Sequence, residues 1–184
     1  MTVATSTATN ATVAALPATY LFVPGDRPER FGKALDAGAD AVIVDLEDAV
    51  SPAKKPAARE ACRELWTGKR PGTPLLLRIN DAQSPYFEDD LALVRDAGID
   101  CVMLAKAESA AQIARVVAAM PAHGQVVGLV ETARGIARLE EIASAPRVQR
   151  LAFGTLDYAI DLGLTDDDRG LLYPSCQMRS EEHT

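Results

Sequence analysis

VIVDLEDAV, residues 42–50, carries an apolar, β-branched run into Asp45, Glu47 and Asp48, three carboxylates within four positions. Such a run suits a strand buried on both faces, the state of a strand in a parallel sheet. Like charges crowded where that strand surfaces repel one another unless cations offset them. The stretch therefore predicts both a core strand and a place where the core ends in chemistry.

Working outward, the same kind of run recurs at YLFVP (20–24), AVIVDL (41–46), PLLLRI (74–79), CVMLAK (101–106), QVVGLVE (125–131) and VQRLAFG (148–154). Between these runs the apolar residues take helical spacing. Phe31, Ala34 and Leu35 share one face before Gly38, and Ile113, Val116, Val117 and Met120 share another after Ser109. Pro28 suits a first helical turn, Gly38 and Gly98 suit helix ends, and Thr132 suits the cap of a helix carrying Ile136 and Leu139. Gly128, inside the fifth run, suggests a close backbone approach.

Strand and helix alternating at a spacing of about 25 residues require parallel strands with right-handed crossovers, so the class is α/β. A doubly wound sheet and a (β/α)8 barrel both meet that description. Asp45, Glu47, Asp48, Arg78, Asn80, Lys106, Glu131 and Asp157 fall at or just beyond the C-terminal ends of strands two to six. Participation by so many strands favours the barrel, whose active sites gather on that rim, over an open sheet with one switch-point crevice. Neither GxGxxG nor GxxxxGK[ST] follows any strand. The expected fold is a (β/α)8 TIM barrel, incomplete here at about six βα units.

The 184 residues suit one domain, and 26 acidic against 19 basic residues give a formal charge of -7. That balance disfavours nucleic acid and anionic lipid as partners, and no apolar run approaches the roughly 20 residues of a membrane helix. Cys62, Cys101 and Cys176 are far apart with no CxxC pair, which fits a reducing cytoplasm. Residues 1–19, rich in Thr and Ala, read as a disordered leader, 20–178 as the partial barrel domain, and 179–184 as a non-native tail. That tail, RSEEHT, reads as a translated sequencing adapter fused to a shortened reading frame.

Glu131 and Asp157 end neighbouring strands. Together they offer two hard oxygen ligands with positions left for water and substrate, a description that suits Mg²⁺. The alternative is an exposed glutamate and a helix-capping aspartate. Arg78, after four apolar positions, offers a fork for a carboxylate, and an ion pair with Glu47 or Asp48 is compatible with that role. Arg27, Arg30 and Lys33 suit either a phosphate contact or a solvated face. Asp45 suits the backbone groups of its turn, and Glu47 and Asp48 suit contacts to metal-bound water. Lys106 suits a salt bridge to a rim carboxylate better than a Schiff base. With His123 and His183 as the only histidines, neither at a strand end, histidine-based hydrolysis is disfavoured.

The words LFVPGDRPERFGKALDAGADAVIVDLEDAV, KPAAR, LLLRIND, LAKAES, GLVETARGI and LAFGTLDYAIDLG, in this order from Tyr20 to Tyr173, resemble the citrate lyase β-subunit-like branch of the HpcH/HpaI aldolase superfamily. The resemblance implies a Mg²⁺-dependent lyase that cleaves a carbon–carbon bond in citryl-, malyl- or citramalyl-CoA, giving acetyl-CoA and an oxo acid. Glu131 and Asp157 match the metal ligands. Arg78, with Glu47 and Asp48, takes the catalytic positions, and Phe22, Arg27, Lys33, Arg78 and Glu131 take those that meet the acyl-CoA substrate. Family members continue for roughly a further third of their length, enough to complete a barrel of about 250 residues. They are implied to be homotrimers in which an aspartate from a neighbour's C-terminal region completes the site. The alternatives are a malyl-CoA thioesterase, an HpaI-type 2-oxo acid aldolase and a noncatalytic partner or inactive fragment.

Overall fold

Each of the six apolar runs forms a strand: β1 Tyr20–Pro24, β2 Ala41–Asp45, β3 Leu75–Ile79, β4 Cys101–Leu104, β5 Gln125–Val130 and β6 Val148–Phe153. The computed structural model describes residues 16–68, 72–165 and 169–181. All strand pairings are parallel, and the spatial order is the chain order, β1 to β6. A doubly wound sheet reverses its strand order at a switch point; this one does not, so the connectivity is that of a barrel wall. The wall is curled. On its concave side the Arg150 guanidinium of β6 donates to the Tyr20 hydroxyl of β1 at 3.3 Å and to the Pro17 carbonyl.

Among the described residues eight α-helices complete the units: α1 Phe31–Leu35, α2 Lys55–Thr67, α3 Phe87–Ala97, α4 Ala110–Ala119, α5 Ala133–Ala137, α6 Leu139–Ala143, α7 Thr155–Leu162 and α8 Arg169–Glu181. Side chains alternate across each strand, which yields two apolar layers. Ala41, Ile43, Leu76, Met103, Val127 and Leu129 fill the concave side. Val42, Val44, Leu77, Val102 and Val126 face outward into a larger core with residues of the helices, among them Trp66, Val94, Ile113 and Ile142. Burial on both faces is why these strands read as continuous apolar runs.

Local signals account for the helix ends. The Ser109 hydroxyl accepts from the Gln112 N–H at 3.3 Å and the Thr132 hydroxyl from the Gly135 N–H at 3.0 Å, capping α4 and α5. Gly98 closes α3 in the left-handed region at φ 64. Two expectations need correction. The helix predicted through Ile136 and Leu139 is broken at Arg138 (φ -121, ψ 24) into α5 and α6. At Gly128 the close neighbours are the Leu151 and Ile142 side chains, 3.1 and 3.4 Å from where a Cβ would stand, so the tight fit comes from side-chain packing rather than backbone approach.

Most of the expected leader, residues 1–15, lies outside the described residues. Its last residues are held in place: the Ala18 and Thr19 N–H groups donate to Asp40 Oδ2 at 3.0 and 2.8 Å. Residues 182–184 of the expected tail also lie outside the described residues, whereas Arg179–Glu181 complete α8. Among the described residues no helix is long and apolar enough to cross a membrane.

Candidate active site

Asp45 organises the end of β2. It is buried, its Oδ1 accepts from the Glu47 N–H at 2.8 Å and its Oδ2 from the Ala49 N–H at 3.0 Å, so the side chain closes the turn that follows the strand. The β2–β3 register sets Asp45 beside Arg78. Arg78 grips both oxygens, Nε to Oδ1 at 2.7 Å and Nη2 to Oδ2 at 2.6 Å, a charge-assisted fork. Within the chain, the ion pair expected beside a substrate role for Arg78 is with Glu47 or Asp48. The main partner of Arg78 is Asp45, with Glu47 second, Nη1 lying 3.0 Å from Glu47 Oε2.

The same turn is fixed from below by a lysine that sequence reasoning did not single out. Lys55 is 5% exposed, and its ammonium donates to the Leu46 carbonyl at 2.7 Å, the Glu47 carbonyl at 3.0 Å and Asn80 Oδ1 at 2.8 Å. Burial pushes its pKa down against the pull of Asp90, Asp45 and Glu47. Asn80 donates to Asp90 Oδ2 at 2.6 Å, and Arg59 Nε donates to Asp90 Oδ1 at 2.7 Å. A buried polar network thus holds the backbone that presents Glu47. In sequence Lys55 is one of two adjacent lysines at a helix start, and nothing local marks it as the buried one.

Three acids converge beside this turn. Glu47, Glu131 and Asp157 each offer a carboxylate oxygen, and these oxygens lie within 4.8 Å of one another. Glu131, 4% exposed at the end of β5, accepts from the Lys106 N–H at 3.0 Å. Burial pushes its pKa up to about 7, against the opposing pull of that hydrogen bond and of the Lys106 charge. Asp157 lies in the first turn of α7. The Lys106 ammonium joins Glu47 Oε1 at 2.6 Å and Asp157 Oδ2 at 2.9 Å, the salt bridge to rim carboxylates expected of it. Burial raises the Glu47 pKa in spite of Lys106 and Arg78. Glu47 Oε2 is near Arg78 but receives no aligned hydrogen bond, which leaves a buried oxygen unsatisfied.

Gly154, which follows β6, makes room for Glu131. A Cβ there would lie 2.6 Å from Glu131 Cβ and closer still to Glu131 Oε2. Gly154→Ala must therefore displace the glutamate or the strand end, and overpacking of this kind costs roughly 1–3 kcal/mol. A melting curve should show a loss of about 2–10 °C. An unchanged melting temperature would mean that the carboxylate is not confined as described.

The acids open onto a cleft of about 500 Å³ on the concave side, lined by Phe22, Asp48, Arg78, Glu131, Arg150 and Asp157 among others. Phe22 is half exposed, with the Arg78 guanidinium 5.1 Å from its ring centroid. Asp48 is exposed on the cleft wall and outside the three-acid cluster, whereas Glu47, expected to act alongside it, is inside the cluster. Arg27 pairs with Asp26 at 3.9 Å and Glu29 at 4.0 Å, and Lys33 is exposed on α1; neither is among the described residues lining the cleft. Arg150 was missed because β6 reads as one of the apolar runs, which gives its single arginine no distinguishing mark.

Residues 18–177 match the family model described as HpcH/HpaI aldolase/citrate lyase. A citrate lyase subunit beta-like protein of Mycobacterium tuberculosis is 43% identical over 149 residues, 78% of this chain and 50% of the relative. An L-malyl-CoA/beta-methylmalyl-CoA lyase of Cereibacter sphaeroides is 37% identical over 161 residues, with the same two shares. The chain thus spans about half the length of the curated relatives it matches. Among solved structures, CitE from M. tuberculosis in complex with magnesium, acetoacetate and coenzyme A superposes with a TM-score of 0.78 at 37% identity, covering 92% of this chain and 62% of that one.

Proposed function

The chain belongs to the HpcH/HpaI aldolase/citrate lyase family, and from that membership we propose that it supplies the metal- and anion-binding residues of a Mg²⁺-dependent acyl-CoA lyase. The reaction is cleavage of a carbon–carbon bond in a citryl-, malyl- or citramalyl-CoA type ester, giving acetyl-CoA and an oxo acid. One observation carries the reading: the oxygens of Glu47, Glu131 and Asp157 fall within 4.8 Å of one another at the edge of the cleft that Arg78 also lines.

The donor set fits a divalent ion. Carboxylate oxygens are the hard ligands Mg²⁺ takes, and the buried Glu47 Oε2 lacks the hydrogen bond that a nearby cation or its water would replace. Glu131 and Asp157 would hold the metal, with Glu47 close enough to hold its water. A bound Mg²⁺ supplies Lewis acidity toward the oxygens of the oxo-acid fragment. Arg78 spends two N–H groups on Asp45 and sets Nη1 against Glu47 without an aligned hydrogen bond, which leaves N–H groups on a side chain that lines the cleft for a substrate carboxylate. Phe22 offers an apolar wall beside it. Arg27 and Lys33, on the segment that follows β1, are proposed to meet the CoA phosphates; the relative solved with coenzyme A supports the substrate class.

Incubation with citryl-CoA, malyl-CoA and citramalyl-CoA in the presence of Mg²⁺ tests the reading. The expected products are acetyl-CoA and the matching oxo acid. Free CoA with an intact hydroxy acid would replace the lyase with a thioesterase. Cleavage confined to free 2-oxo acid aldols would replace it with an aldolase.

A further inference from the structure

Lys106 touches all three acids at once. Its ammonium lies 2.6 Å from Glu47 Oε1 and 2.9 Å from Asp157 Oδ2, and its N–H lies 3.0 Å from Glu131 Oε1. We propose that the Lys106 side chain is a built-in competitor of the divalent ion, neutralising Asp157 and Glu47 when no metal is bound. Metal binding then releases the ammonium into the cleft, where it meets an anionic group of the substrate. The inference rests on the metal-site reading above and adds an order to it: metal first, carboxylate second.

The charges and the geometry support the exchange. Arg78 is held mainly by Asp45, so the cluster of three carboxylates has Lys106 as its ammonium partner, and a divalent ion is the stronger counter-charge for the same acids. An ion held by Asp157 and Glu131 would stand beside the ammonium that now meets Asp157 Oδ2 and would repel it as a like charge. Only the side chain has to move. The Lys106 backbone is pinned by its N–H bond to Glu131 in a left-handed conformation, φ 47, that a lysine adopts only where its surroundings impose it. The side chain is 33% exposed, so the ammonium can turn toward solvent and the cleft without crossing the core. Asp157 is itself 28% exposed, which leaves the exchange open to an incoming hydrated ion.

Isothermal titration with Mg²⁺ on wild-type protein, Lys106→Met and Glu131→Gln tests this. In wild type, binding is expected; its absence would remove the metal-site reading itself, a failure distinct from that of the exchange. Given wild-type binding, Lys106→Met should bind Mg²⁺ roughly tenfold more tightly, because a neighbouring positive charge has gone. Equal or weaker binding by Lys106→Met would overturn the exchange, since loss of a competing charge must tighten the site. If Lys106→Met does not fold, wild-type protein still decides: brief acetylation followed by mass spectrometry should show Lys106 modified several times faster with saturating Mg²⁺ than without it. An unchanged or slower rate would refute the release.

Discussion

Arg78→Met is expected to unfold the protein at a temperature roughly 10 °C below wild type, more than any other single change in the cleft. Asp45 is 1% exposed and relies on the Arg78 fork for its charge balance. Removing one member of a buried ion pair strands the other, at about 3–5 kcal/mol. Two backbone N–H groups still reach Asp45, from Glu47 and Ala49, so the turn does not open at once. The uncompensated carboxylate must take a proton or admit water. Glu47 loses its nearest guanidinium in the same change and keeps the Lys106 ammonium. Arg78→Lys keeps a charge without the planar fork and should fall between the two. Chemical denaturation measures the loss directly, and a value within 1 kcal/mol of wild type, about the usual worth of an exposed pair, would show that the Asp45 pair behaves like one on the surface.

The six strands were legible because burial on both faces writes apolar runs into the sequence, and the barrel was legible because polar residues recur at one end of so many strands. Glu131 and Asp157 meet for a reason that strand order alone conveys: β5 and β6 are neighbours, and Val130 pairs with Phe153. What stayed hidden depends on contacts distant in sequence. Lys54 and Lys55 are adjacent and chemically identical, yet Lys54 pairs with Asp26 on the surface while Lys55 is buried among carbonyls contributed from residues 46 and 47. Which lysine goes inside is set by helix phase against the β2 turn, and single-residue phase is not readable from a short charged segment. The choice of Asp45 over Glu47 as the main partner of Arg78 is likewise a matter of register, Asp45 opposite Arg78 across β2 and β3. Arg27 and Lys33 were offered by charge spacing as well as by family resemblance, and neither is among the described residues lining the cleft.

Glu131→Gln should abolish the response to Mg²⁺ while making the metal-free protein more stable above pH 7. Burial holds the Glu131 pKa at about 7 against 4.5 for an ordinary glutamate. Between those values the folded protein keeps a proton that the unfolded chain releases, so stability falls as pH rises through the window. By pH 8 the accumulated cost is on the order of 3 kcal/mol. Glutamine retains an oxygen for the Lys106 N–H and carries no charge, so that cost disappears and the melting temperatures of variant and wild type should separate only as pH climbs from about 5 to 8. Glu47, whose pKa burial also raises, contributes a slope of the same sign in both proteins. Mg²⁺ reverses the comparison. At a hundred times its dissociation constant the ion would stabilise wild type by about 2.7 kcal/mol, and the variant, lacking one ligand charge, should gain nothing measurable. Wild-type affinity should itself weaken as pH falls below about 7, because the proton and the metal compete for one carboxylate. Turnover of the CoA ester should drop by on the order of a thousandfold. A variant that still melts higher with added Mg²⁺ would place the ion elsewhere, and with it the chemistry assigned to these three acids.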